Sequence, residues 1–122
     1  MKSPVSLFLG LALATVTAAG APAQEERSAL AGGGRDLALK ICSNCHVVAK
    51  DQSSAPILSP PAPSFAVIAS RSDATEERLR DFLAKPHGSR RLNSKMPSFL
   101  LAKSQIDQLL AYLLSLKAGS SR

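Results

Sequence analysis

Apolar residues recur at helical spacing in several stretches of the chain. The C-terminal run is the clearest: Ile106, Leu109, Leu110 and Leu113 fall at i, i+3, i+4 and i+7, which lines one face of a helix. Ser104 is a candidate N-cap for it, and Lys117 followed by Gly119 marks its end. A second stripe, Leu79, Phe82 and Leu83, follows Asp73 and Glu76, which stand at capping-box spacing although the usual cap there is Ser or Thr. Pro86 and Gly88 stop that helix. A narrower stripe of Leu37, Ala38 and Ile41 predicts a first helix from about Arg35 through Cys42–His46. Ser64–Arg71, "SFAVIASR", predicts a short helix with Phe65 and Ile68 facing inward.

Between these stripes the chain reads as loop. Asp51–Pro63, "DQSSAPILSPPAP", holds four of the eight prolines, so it is neither a regular helix nor a central strand. It is a shaped loop, either a surface connection or a cover over a functional face. No stretch alternates apolar and polar residues as a half-buried strand does, and no internal repeat is visible. The expected fold class is all-α, with three to five short helices and long loops.

The first 23 residues read differently. Lys2 gives a positive start, Val5–Ala19 is an uncharged apolar run, and Ala21-Pro22-Ala23 has the small-x-small form of a cleavage site. This is the pattern of a secretory signal peptide. The run is shorter than the ~20 apolar residues a spanning helix needs, so export and cleavage before Gln24 are expected, with no membrane span in the mature chain. The expected organisation is a signal peptide over 1–23, a flexible polar arm over 24–33, one domain over 34–118 and a tail over 119–122.

Without residues 1–23, which contribute Lys2 as their one charged residue, the formal net charge falls from +6 to +5. That balance favours acidic partners or anionic surfaces. A nucleic-acid role is disfavoured, because the chain reads as exported and does not interleave aromatic with basic residues. Aromatics are few: four Phe, one Tyr and no Trp. So small and aromatic-poor a domain usually needs a staple beyond its core.

The staple is suggested by "ICSNCHVV", Ile41–Val48, which contains both cysteines and one of the two histidines. A disulfide between Cys42 and Cys45 would close so short a loop that it would constrain the unfolded chain little. A redox dithiol of the thioredoxin kind needs βαβ units around the motif, and a structural zinc site wants four ligands. Both remain alternatives. Cys-x-x-Cys-His is the attachment pattern of c-type haem. Two thiols on one side of the chain can add to the two vinyl groups of a porphyrin edge, and the adjacent His46 supplies an axial nitrogen. Ser43 and Asn44 are small spacers.

A sixth ligand is offered by Met96 in "SKMPSF", the one methionine outside residues 1–23. It lies in a polar, basic loop, not on an apolar stripe, and far enough after His46 to return to the opposite haem face. His/Met ligation leaves no open iron position and raises the potential, and Pro97 stiffens the Met loop. His87 is the competing ligand, and bis-His ligation would lower the potential.

With "CSNCH" and "KMPSF" both in place, Gly34–Leu116 resembles a class I monohaem c-type cytochrome, His/Met-ligated and of the small soluble bacterial type. The resemblance implies one covalent haem c with iron, thioethers at Cys42 and Cys45, and an axial pair of His46 and Met96. It also implies that a loop proline, Pro63 in "PAPSF", offers its carbonyl to the proximal histidine ring. The N- and C-terminal helices of that fold pack together, a small residue against an aromatic, places that Gly34 and Tyr112 fit. Many relatives hold a haem propionate with a Trp, which is absent here; Arg71, Arg90 or Arg91 could substitute. The function implied is a periplasmic single-electron carrier, a monomer and not an enzyme, meeting acidic redox partners through the basic cluster Lys85, Arg90, Arg91 and Lys95. The alternatives are a haem subunit of a larger dehydrogenase or oxidase, and a haem enzyme or gas sensor with a labile sixth ligand.

Overall fold

Among the described residues four helices form where the stripes fall: α1 over Ala21–Ile41, α2 over Phe65–Ser70, α3 over Glu76–Ala84 and α4 over Lys103–Gly119. The structure is a computed structural model and describes residues 21–85, 96, 97 and 99–119. Residues 1–20 of the expected signal peptide, and the expected helix stop at Pro86 and Gly88, lie outside the described residues. Among the described residues there is no strand, so the fold is all-α as expected. No described helix is long and apolar enough to cross a membrane.

Helix α4 is the organising element, packing against α1, α2 and α3. Its stripe is buried as the periodicity predicts: Ile106, Leu109, Leu110, Tyr112 and Leu113 all lie inside. Leu109 and Leu110 are 1% and 2% exposed, each contributing about 1.5–3 kcal/mol by removal from water. The core gathers Ala38 from α1, Val48 from the loop beyond it, Phe65 from α2, and Leu109, Tyr112 and Leu113 from α4.

Helix α1 departs from expectation at both ends. It starts at Ala21, not near Arg35, so Gln24–Gly33 is helical. The reason is local: Gln24, Glu25, Glu26, Arg27, Ala29 and Leu30 are strong helix formers, although Pro22–Ala29 are exposed. At the other end α1 stops at Ile41, and Cys42–Cys45 form a turn and not a further helical stretch. Within α1, Gly34 is required by contact. A Cβ there would fall on the Gln108 carbonyl, 2.6 Å from its carbon and 2.9 Å from the Tyr112 Cβ, so the backbones of α1 and α4 approach as closely as they do because residue 34 has no side chain.

The caps also differ from the sequence reading. Thr75, not Asp73, caps α3, its hydroxyl accepting from the Arg78 amide at 3.3 Å. For α4 the helix begins at Lys103, one residue before Ser104. The Gln105 side chain instead reaches back to accept from the Ala102 amide at 2.9 Å, the second half of a capping box without its Ser or Thr. Phe82, expected on the inner stripe of α3, is 50% exposed, while Leu79 and Leu83 pack against the core. Helix α2 forms as predicted, capped by Ser64, with Phe65 buried and Ile68 against the core.

Candidate functional site

The Cys42–His46 turn is fastened to the end of α1. The Cys42 amide completes a helical bond to the Ala38 carbonyl at 2.8 Å, and the Cys45 and His46 amides both donate to the Cys42 carbonyl, at 3.1 and 2.9 Å. The Ser43 hydroxyl returns to the Leu39 carbonyl at 2.6 Å. This turn holds both cysteines half-buried and unbridged. Burial, with a smaller contribution from Cys45, pushes the Cys42 thiol up to about 11, so it stays protonated and neutral at physiological pH.

The proline loop is laced onto the turn. Its Ile57 amide donates to the Asn44 carbonyl at 2.9 Å, and its Ala62 amide to the Cys45 carbonyl at 2.9 Å. His46 and Ala62 form an isolated parallel bridge. One residue on, His46 Nδ1 lies 2.7 Å from the Pro63 carbonyl oxygen. A carbonyl only accepts, so Nδ1 carries the proton, and in the neutral ring that leaves the lone pair on Nε2. The loop then continues into α2, whose Phe65 amide donates to the Val47 carbonyl at 2.9 Å. Asn44, a spacer in the sequence, thus serves through its backbone carbonyl.

A further layer was not visible in the sequence. The Phe65 ring meets the His46 ring at a centroid distance of 5.6 Å and an interplanar angle of 69°. Tyr112 backs Phe65 at 6.2 Å, and its hydroxyl donates to the Val48 carbonyl at 2.7 Å. The Gln52 side chain accepts from the Val48 amide at 2.7 Å. Outside this, Arg35 grips Asp51 with two bonds of 2.8 Å from one guanidinium nitrogen. That pairing holds the Asp51 carboxyl below its usual range and raises Arg35. Apart from the Gln52–Val48 bond, these contacts join residues far apart in the chain and belong to no local sequence pattern.

Met96 is half-buried and Pro97 exposed. His87, Arg90, Arg91 and Lys95 lie outside the described residues. Arg71 is mostly exposed and pairs with Asp73 at 3.5 Å; Lys85 pairs with Asp81 on α3. Among the described residues no three of His, Cys, Asp and Glu stand together as metal ligands, so the zinc alternative finds no donor set there. What one turn of the chain does present is two free thiols, Cys42 and Cys45, and the His46 imidazole. Apolar side chains of Val47 and Ile57 are exposed beside them. This set fits a porphyrin held by two thioethers and one nitrogen.

The comparisons with known proteins agree in extent with this arrangement. The family described as cytochrome c matches residues 31–117. The chain is also similar to cytochrome c-552 of Bradyrhizobium diazoefficiens, 42% identical over 100 residues that span 80% of this chain and 88% of that protein. No solved structure matches it.

Proposed function

The chain belongs to the cytochrome c family and is a haem-based electron carrier, and from that premise we propose that it shuttles single electrons between periplasmic or membrane-bound redox partners. Members of the family bind one covalent c-type haem with iron, and that is the cofactor here. When bound, the haem iron takes up and releases one electron between its ferric and ferrous states.

The chain's own residues divide the remaining work. Cys42 and Cys45 are the two thiols that become thioethers. His46 is the proximal ligand through Nε2, and the Pro63 carbonyl at 2.7 Å from Nδ1 fixes its tautomer and raises its basicity. Met96 is the distal ligand; its soft thioether favours ferrous iron and leaves no position for substrate. Val48, Phe65 and Leu109 keep water from the protein side of the turn. The observation that carries the reading is the Nδ1–Pro63 bond beside two unbridged thiols, a combination suited to a tethered, singly oriented imidazole.

Export is part of the proposal, supported by Lys2, the apolar Val5–Ala19 and the Ala21-Pro22-Ala23 site. Cleavage before Gln24 would remove only the first three residues of α1. The basic cluster Lys85, Arg90, Arg91 and Lys95 is proposed to meet acidic partners, with the carrier acting as a monomer.

The test is to express the chain in a haem-ligating host and extract it with acid–acetone. Haem that stays with the protein, and becomes extractable in Cys42→Ala/Cys45→Ala, is the expected result. Haem that leaves the unmodified protein would remove the thioether assignment.

A further inference from the structure

The bond from His46 to Pro63 fixes which nitrogen carries the proton, but it controls the tilt of the ring only loosely. Hydrogen bonds weaken steeply only when their angle falls well below its preferred range, so the imidazole plane retains some tens of degrees of freedom by that contact alone. A second contact meets the same ring. Phe65 stands against it edge to face, 5.6 Å between centroids and 69° between planes. Aromatic pairs in this arrangement attract beyond their buried area, and the pair also acts as a steric stop.

Phe65 can serve as a stop because it is itself held on all sides. It is 6% exposed, its amide is bound to the Val47 carbonyl at 2.9 Å, and it opens α2, which packs on α4. Tyr112 lies behind it at 6.2 Å. The Tyr112 hydroxyl then binds the Val48 carbonyl at 2.7 Å. The contacts therefore run from His46 through Phe65 and Tyr112 back to the main chain two residues beyond His46, a closed circuit.

We propose that Phe65 is a positioning residue that sets the plane of the His46 imidazole, with Tyr112 as its backing. The proposal rests on the reading of His46 as the proximal ligand. Its consequence is electronic: the orientation of an axial imidazole plane determines how unpaired spin is distributed over the haem periphery in the ferric protein.

The experiment is proton NMR of the ferric holoprotein, unmodified and with Phe65→Leu or Phe65→Tyr. The four ring-methyl resonances report spin distribution, and the hyperfine-shifted ring protons of His46 report its ligation. Phe65→Leu is expected to reorder or re-space the methyl resonances, whereas Phe65→Tyr, which keeps the ring, retains the unmodified pattern. A merely structural role would lower the unfolding midpoint in Phe65→Leu and leave the methyl pattern alone; that result overturns the proposal. Should Phe65→Leu fail to fold, Phe65→Met is read by the same criterion. Absence of hyperfine-shifted His46 protons in the unmodified protein would overturn the ligand reading itself, and is distinguishable from an unaltered methyl pattern with His46 still bound.

Discussion

Gly34 and Tyr112 meet where α1 crosses α4, and a Cβ added at residue 34 would stand 2.9 Å from the Tyr112 Cβ as well as striking the Gln108 carbonyl. Tyr112 is the residue whose hydroxyl reaches the Val48 carbonyl. The missing side chain on one helix thereby sets how near Tyr112 comes to the haem-motif segment.

Substitutions at Gly34 and at Gly32, two residues earlier, should therefore have opposite effects. Gly34→Ala must push the helices apart and is expected to lose about 3 kcal/mol, the upper part of the overpacking range. Gly32 has nothing within 4 Å of its would-be Cβ, so Gly32→Ala should gain about 0.5–1 kcal/mol from helix propensity. Denaturant unfolding of the holoprotein measures both; equal effects would contradict the close crossing.

Tyr112→Phe removes one hydroxyl and leaves the Val48 carbonyl without it. The expected loss is about 1–2 kcal/mol, read as a lower denaturant midpoint with an unchanged slope. A loss near zero would mean that water replaces the hydroxyl.

Acid sensitivity should depend on Asp107. The Arg80 guanidinium and, less strongly, Lys103 hold its carboxyl below the usual carboxylate range. A folded-state pKa depressed below the unfolded value of about 3.9 stabilises the protein above that value. The contribution is lost as pH falls through the depressed folded value. Asp107→Asn should thus be less stable than the unmodified chain at neutral pH, and the difference should shrink below about pH 4. Stability curves against pH for the two proteins check this; a difference that is constant with pH would assign the loss to something other than charge.

Met96→Ala should abolish the ferric charge-transfer band of a sulfur ligand and lower the reduction potential, since a methionine ligand raises it. His87→Ala should leave both unchanged. An unaltered spectrum in Met96→Ala, with ligation lost in His87→Ala, would transfer the distal position to His87.

Electron transfer to an acidic redox partner should slow as salt rises, because exposed charges are screened over about 30 Å at 0.01 M but only about 8 Å at 0.15 M ionic strength. A fall of roughly tenfold or more is expected for steered encounter, measured by stopped-flow. Rates indifferent to salt would remove the basic cluster from docking.

What the sequence determined by itself is whatever lies within one or two helical turns. Cys42, Cys45 and His46 lie within five residues, so their joint chemistry can be read without a fold. The α4 stripe is legible for the same reason, because burial of Ile106, Leu109, Leu110 and Leu113 follows from a 3.6-residue period. Local reading fails where several nearby residues compete for one role. Asp73 stands at capping-box spacing from Glu76, yet the backbone path makes Thr75 the cap. The tertiary structure decided the surroundings of His46. The Pro63 carbonyl was expected from the family resemblance, but the contact of His46 with Phe65 and the bond from Tyr112 to Val48 join residues that no motif links in the chain. Such contacts form only after loop closure has brought the segments together, and the Gly34 crossing of α1 and α4 is what brings Tyr112 within reach.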